Sequence, residues 1–202
     1  MQPAQLDFHA VAGLTASVVA MVAMIPYIAS MLRGETRPSI ISWWIWTVAG
    51  TMLAASYLAS GAGPTWWMAA AYVVNPLVIA VLALSYGEHK ADPIDWICLA
   101  GALSSLIPWF FFDSPHAALY INIFVDLLGA LPTLRKSIVD PASENRMGWL
   151  LAFCANVINL LAIDRWQPEI FVYPVYAFVI TGLIWGTLFR ARLAARRPAH
   201  AA

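Results

Sequence analysis

The chain has 202 residues, 61% hydrophobic and 11% charged, with eleven basic against eleven acidic side chains and a mean hydropathy of +0.72. Soluble domains run at roughly 25% charged and 45–50% apolar, so composition alone predicts an integral membrane protein. The balanced charge offers no basic surface for nucleic acid. Cys98 and Cys154 fall inside apolar runs without metal-ligand spacing, which argues against a disulfide framework or a zinc site and suits two small buried hydrophobes.

At about 20 residues per span, a chain of this length has room for seven helices and little else. The N-terminal segment MQPAQLDFHA has no positive n-region, and the apolar run behind it is too long for a signal-peptide core, so a first span is expected there. That span covers 8–32 and ends at Arg33-Gly-Glu-Thr-Arg37-Pro38. The second, 40–60, opens with Trp43, Trp44 and Trp46. A turn at Gly61-Ala-Gly-Pro64 leads to Trp66, Trp67 and a third span, 66–86. A polar loop with Pro93 precedes the fourth span, 96–112, which stops at Asp113-Ser-Pro115. The fifth covers 117–138, the sixth 147–163 and the seventh 170–189. Trp43, Trp66, Trp67, Trp96, Trp149 and Trp166, at span ends, are expected in interfacial belts.

Alternate connections differ sharply in charge. One side holds only Arg165. The other holds Arg33, Arg37, Lys90, Arg135, Lys136, Arg146, Arg190, Arg192, Arg196 and Arg197. The positive-inside rule therefore predicts an external N-terminus and a cytoplasmic C-terminus.

Spans 1–2 and 5–6 share a pattern. Pro26-Tyr27 is followed by a polar loop and Trp43, seventeen residues after the proline, and Pro132-Thr133 is followed by a polar loop and Trp149 at the same spacing. Spans 3 and 7 each carry an X-Pro pair, Asn75-Pro76 and Tyr173-Pro174. Two parallel three-helix repeats joined by span 4, a 3+1+3 arrangement, account for these matches: a first unit over 8–87, a linker helix over 94–112 and a second unit over 116–190.

These positions resemble the PQ-loop/SWEET-like superfamily of small seven-helix transporters. In that family each unit has a proline, often Pro-Gln, near the cytoplasmic end of its first helix, where the helix bends or swings. Pro26-Tyr27 and Pro132-Thr133 match it, with the glutamine replaced in both, and the resemblance makes Pro26 and Pro132 hinges. Asn75 matches a solute-binding asparagine of the sugar-transporting branch, while Tyr173 stands at the second such position. Proton-coupled relatives carry an aspartate in the fifth helix, which Asp126 matches.

The residues also speak for themselves. Asp126 is the one ionisable side chain expected deep inside a span, where a charge costs at least about 2.5–3.5 kcal/mol and usually faces a cavity or a partner. A carboxyl so placed can load a proton from one side and release it to the other; the bland alternative is a hydrogen bond locking spans 5 and 6. Asn122 lies four residues earlier on the same face. Asn156 and Asn159 share a face of span 6, where they either line a site or bridge helices. Pro76 withholds a backbone N–H one turn after Tyr72, adding polar capacity near Asn75. Tyr72, Tyr173, Tyr176 and Trp46 are further candidate walls of a solute site, with packing as the competing reading. Arg33, Arg135 and Lys136 are expected to serve topology and headgroups, and Asp140–Arg146 to be a solvated loop with Ser143 capping span 6.

Enzyme classes find no support. A second deep aspartate, an intramembrane histidine pair and a lysine in the last span are all absent, which excludes an aspartyl protease, a haem site and a retinal Schiff base. The expectation is an all-α, seven-span protein of the inner (plasma) membrane: a secondary transporter or facilitator working by alternating access, with proton coupling through Asp126 as a separable hypothesis. A receptor or sorting protein on the same scaffold is the alternative. No cofactor is expected; the partners are a small-molecule solute and membrane lipid, with homo-oligomerisation left open.

Overall fold

The computed structural model describes residues 8–59, 66–111, 115–164 and 166–195. Residues 1–7, the turn at Gly61-Ala-Gly-Pro64, Asp113, Arg165, Arg196 and Arg197 lie outside the described residues, as do the side chains of Trp66 and Trp67.

The protein is all-α. Its helices are α1 (Phe8–Leu32), α2 (Ile40–Ala59), α3 (Trp66–Tyr86), α4 (Pro93–Ser104), α5 (Leu106–Phe111), α6 (Pro115–Val139), α7 (Arg146–Leu160) and α8 (Pro168–Ala195). A 3-10 turn at Pro141–Ser143 and an isolated bridge between Ser39 and Glu88 complete the described secondary structure. Among the described residues two stretches, Phe8–Leu32 and Phe171–Ala195, are long and apolar enough to cross a membrane.

Helix boundaries follow local chemistry. α1 ends where Gly34 takes φ 74°, a conformation that costs glycine nothing, and the amides of Gly34 and Glu35 turn back to the carbonyls of Met31 and Ser30. The predicted fourth span is broken at Ser105. Pro108 has no N–H for the carbonyl of Ser104, and the hydroxyls of Ser104 and Ser105 bond back to the carbonyls of Ala100 and Gly101 at 2.7 and 2.8 Å, which bends the chain there. By contrast α1, α3, α6 and α8 continue through Pro26, Pro76, Pro132 and Pro174.

Over its first five turns α1 turns small side chains inward. Ala12, Ala16 and Ala23 are buried while Phe8, Leu14, Val18, Met21 and Ile25 are exposed; only toward its end do large residues, Tyr27 and Met31, go inside. Small inward residues let helix backbones approach closely. The closest approach is at Gly50 of α2: a Cβ there would lie 1.9 Å from the carbonyl oxygen of Tyr72, the group to which Pro76 offers no helical N–H. Only glycine fits.

The packing has an internal correspondence. α1 lies on α7 and α3, α6 lies on α2 and α8, and α2 pairs with α3 as α7 pairs with α8. Exchanging α1, α2 and α3 for α6, α7 and α8 maps these pairings onto themselves. In this cross-packing each tryptophan seventeen residues after a proline is brought beside the residue that follows the other unit's proline. Tyr27, after Pro26, packs on Gly148, just before Trp149; a Cβ at Gly148 would sit 3.0 Å from the Tyr27 ring. Thr133, after Pro132, donates to the Ser42 hydroxyl, just before Trp43, at 2.8 Å. A large residue meets a glycine in one crossing, and two small hydroxyls meet in the other.

Three connections gather at one end of the bundle. Arg37 of the α1–α2 loop bonds through its amide to the Ser143 carbonyl at 2.9 Å, the Glu88 amide reaches the Pro38 carbonyl at 2.9 Å, and Arg135 pairs with Asp92. These are the loops rich in Lys and Arg. At the other end the His9 ring lies 3.0 Å from the Leu161 carbonyl.

Candidate functional site

The helices surround a cavity of about 240 Å³ lined by α1, α2, α3, α6, α7 and α8. Toward the basic end its wall is made by the indoles of Trp43, Trp46 and Trp149. Tyr27 packs behind them, tilted against Trp43 at 5.3 Å between ring centroids and edge to face with Trp149 at 6.4 Å. Trp43 and Trp46 meet edge to face at 5.0 Å. Trp43 and Trp149 are therefore not interfacial: both are over 90% buried, because the cross-packing described above turns them inward from the ends of α2 and α7. Trp96 and Trp166, by contrast, are exposed.

The polar wall is built around Asp126, at the middle of α6. Its Oδ2 accepts from the Tyr176 hydroxyl at 2.7 Å and its Oδ1 from the Tyr173 hydroxyl at 3.4 Å, while the Trp46 indole N–H donates to its backbone carbonyl at 3.2 Å. Tyr173 meets Tyr72 edge-on, with ring centroids 6.2 Å apart. Trp46 has room to reach α6 because the next turn carries Gly129, where a Cβ would lie 3.0 Å from the indole. Asn75, Asn156 and Asn159 also line the cavity, and the Asn156 amide donates to the Ala152 carbonyl at 3.0 Å and to the Thr181 hydroxyl at 3.4 Å.

The structure thus brings together Asp126, Tyr72, Tyr173, Trp46, Asn75, Asn156 and Asn159. Tyr176 joins the group through its bond to Asp126 without lining the cavity. Asn122 does not join it. Its side chain is 3% exposed, and its amide N and O meet no hydrogen-bond partner despite lying one turn from Asp126. Pro26 and Pro132 lie outside the cavity lining, on the basic side. Trp43, Trp149 and Thr181 line the site and were not expected there. The equal proline-to-tryptophan spacing was the signal for the two indoles.

A second polar cluster closes the basic end of the bundle. Glu144, from the loop predicted to be solvated, has a fully buried side chain. Its Oε2 accepts from the Tyr27 hydroxyl and from the Trp149 indole, both at 3.0 Å, and its Oε1 lies 3.4 Å from the Lys136 ammonium. Lys136 is 7% exposed and also faces Glu88 at 3.6 Å, so it is no headgroup ligand. Burial pushes the Glu144 carboxyl above the usual glutamate value, opposed by Lys136 and by the hydrogen bonds from Trp149 and Tyr27. Asn145, not Ser143, caps α7: its side chain accepts from the Gly148 amide at 2.7 Å, while the Ser143 hydroxyl turns back to the Asp140 carbonyl at 2.8 Å. The loop folds inward because these polar groups find partners there.

Among the described residues no group of three or more His, Cys, Asp or Glu side chains is arranged to hold a metal. Comparison with models of known families, with curated proteins and with solved structures finds no match to the chain.

Proposed function

We propose that the protein is a secondary transporter or facilitator for a small solute, working by alternating access between two three-helix units in the inner (plasma) membrane. The reading takes α1–α3 and α6–α8 as the units and α4–α5 as the interrupted linker span, with the N-terminus outside and the C-terminus cytoplasmic. The proposal includes membership of the PQ-loop/SWEET-like superfamily.

The observation that carries this reading is the position of the cavity. It lies between the two sets of helices whose pairings interchange, and it holds a carboxylate halfway along α6. A scaffold would have no use for that carboxylate, since an intramembrane acid is expensive. The exposed large apolar residues on α1 suit lipid contact, and the gathering of the basic loops at one end suits a single cytoplasmic face. In this reading Pro26 and Pro132 act as hinges at the basic end. The indole wall and the Glu144 cluster form the closure there, and Asp126 couples solute movement to a proton.

The test is uptake into proteoliposomes, beginning with a thermal-shift screen of the purified protein against sugars, amino acids, nucleosides, vitamins and amines. The best stabiliser should undergo saturable counterflow, and a pH gradient should drive its uptake. Saturable binding with no flux would establish the receptor alternative in its place.

A further inference from the structure

We propose that the cavity takes a small organic cation, an ammonium or alkylated ammonium, and that the cation and a proton occupy Asp126 in turn. The cavity's charge inventory carries the proposal. Among its described lining residues Asp126 is the one acid, and no Lys, Arg or His accompanies it. Among the described residues its carboxylate oxygens accept from the Tyr176 and Tyr173 hydroxyls, neutral donors that orient the group without neutralising it. A carboxylate partly withdrawn from water with no counter-charge beside it is disfavoured, so the site favours a proton or a cation in place.

The remaining lining selects between kinds of solute. Five aromatic rings surround the space, and an indole or phenol face attracts a desolvated ammonium. Rings meeting edge-on, as Trp43 and Trp46 do and as Tyr72 and Tyr173 do, leave at least one face of each pair uncovered by the other. An anion would meet Asp126 with nothing to offset the repulsion. At about 240 Å³ the space is smaller than the roughly 300–1,000 Å³ pockets that take drug-sized ligands, so the cation is compact.

The exchange balances. A cation entering the protonated site forms an ion pair with the Asp126 carboxylate and releases one proton, with no net change in charge at the site. The groups facing Asp126 do not compete for that role. α8 presents Tyr173 and Tyr176, α3 presents Tyr72 behind Tyr173, and α2 presents the Trp46 indole. α7 offers Trp149 and two amides, α1 offers Ala16, Ser17, Ala20 and Met21, and Cys98 of α4 belongs to the same apolar cluster as Val125. Tyrosine and cysteine ordinarily ionise above pH 8. Lys136 is ten residues along α6, about 15 Å away, and is already paired.

The binding part stands without the transporter reading; exchange across a membrane rests on it. Calorimetry on the purified full chain, at pH 6 to 8 and in buffers of different ionisation enthalpy, tests the binding with two matched sets. One is choline, its neutral isostere 3,3-dimethylbutanol and the zwitterion glycine betaine. The other is benzylammonium against benzyl alcohol. At least one cation should bind about tenfold or more tighter than its neutral partner. That binding should weaken on acidification and release up to one proton per cation at the acid end. Asp126→Asn should abolish the proton release and the cation's advantage over its neutral isostere. The proposal falls if neither cation outbinds its isostere, if betaine matches choline, or if wild-type protein releases no proton at any pH tested. Counterflow in vesicles separates the two readings. Cation binding with proton release but no flux would sink transport alone, and flux of a neutral solute without cation preference would sink this inference alone.

Discussion

Asp126 and Glu144 are both carboxylates withdrawn from water, and they are completed in different ways. Glu144 has an ammonium 3.4 Å away and two further donors at 3.0 Å, and its side chain has no exposed surface. Asp126 has two neutral hydroxyl donors and an open cavity beside it. The first group is finished by the protein itself. In the proposed reading the second takes its counter-charge from whatever enters. In that reading the identity of the partners, beyond the difference in burial, separates a working acid from a structural one. The two are mechanically joined, because Trp149 lines the cavity with its ring and donates to Glu144 with its N–H.

The largest effect expected is on the Glu144 side. Glu144→Ala leaves Lys136 facing only Glu88 and strands the Tyr27 and Trp149 donors, a loss of about 3–5 kcal/mol typical of breaking a buried pair, read as a fall in thermal unfolding temperature in detergent. Lys136→Met should cost a similar amount. The double variant Glu144→Ala/Lys136→Met should recover roughly 1–3 kcal/mol against the sum of the singles. Additive losses would show that the pair is not coupled.

Next in size is Gly50→Val. Its side chain would collide with the Tyr72 backbone, so a loss of about 1–3 kcal/mol is expected, together with weaker ligand binding as α2 and α3 separate. An unchanged melting temperature would contradict the close approach.

A smaller effect lies in pH. The Glu144 carboxyl ionises at higher pH in the folded chain than in the unfolded chain, so the folded state holds the extra proton between those two values. Stability is therefore expected to fall as pH rises from the ordinary glutamate range to the raised one, and to level off above it. Glu144→Gln should remove that part of the slope. The smallest change is expected at Arg33, whose pairing with Glu35 is solvent-exposed: Arg33→Ala should leave the melting temperature where it is.

Much of the helix layout is legible in the chain because apolar runs alternate with polar loops, and α1 begins and ends where its run does. The break at Ser105 was less so, since prolines are carried inside four other helices and only the added back-bonding of two serines marks this one. The cavity set was readable where a polar residue interrupts an apolar helix, as at Asn75, Asp126 and Asn156. Asn122 follows the same rule and fails it: helical spacing fixes which residues share a face, but not how far along that face a cavity extends. Glu144 was unreadable. The run Asp140–Arg146 has the composition of a solvated loop, and what draws it inward is Tyr27, more than a hundred residues earlier, together with Lys136 and Trp149.

The division of labour between the two carboxylates is tested most directly by pH-gradient-driven uptake into proteoliposomes containing Asp126→Asn, with counterflow of the same solute measured in the same vesicles. The account expects gradient-driven uptake to be lost and counterflow of a cationic solute to weaken with it, while the melting temperature stays near that of the unsubstituted chain. Gradient-driven uptake that survives Asp126→Asn unchanged would contradict it.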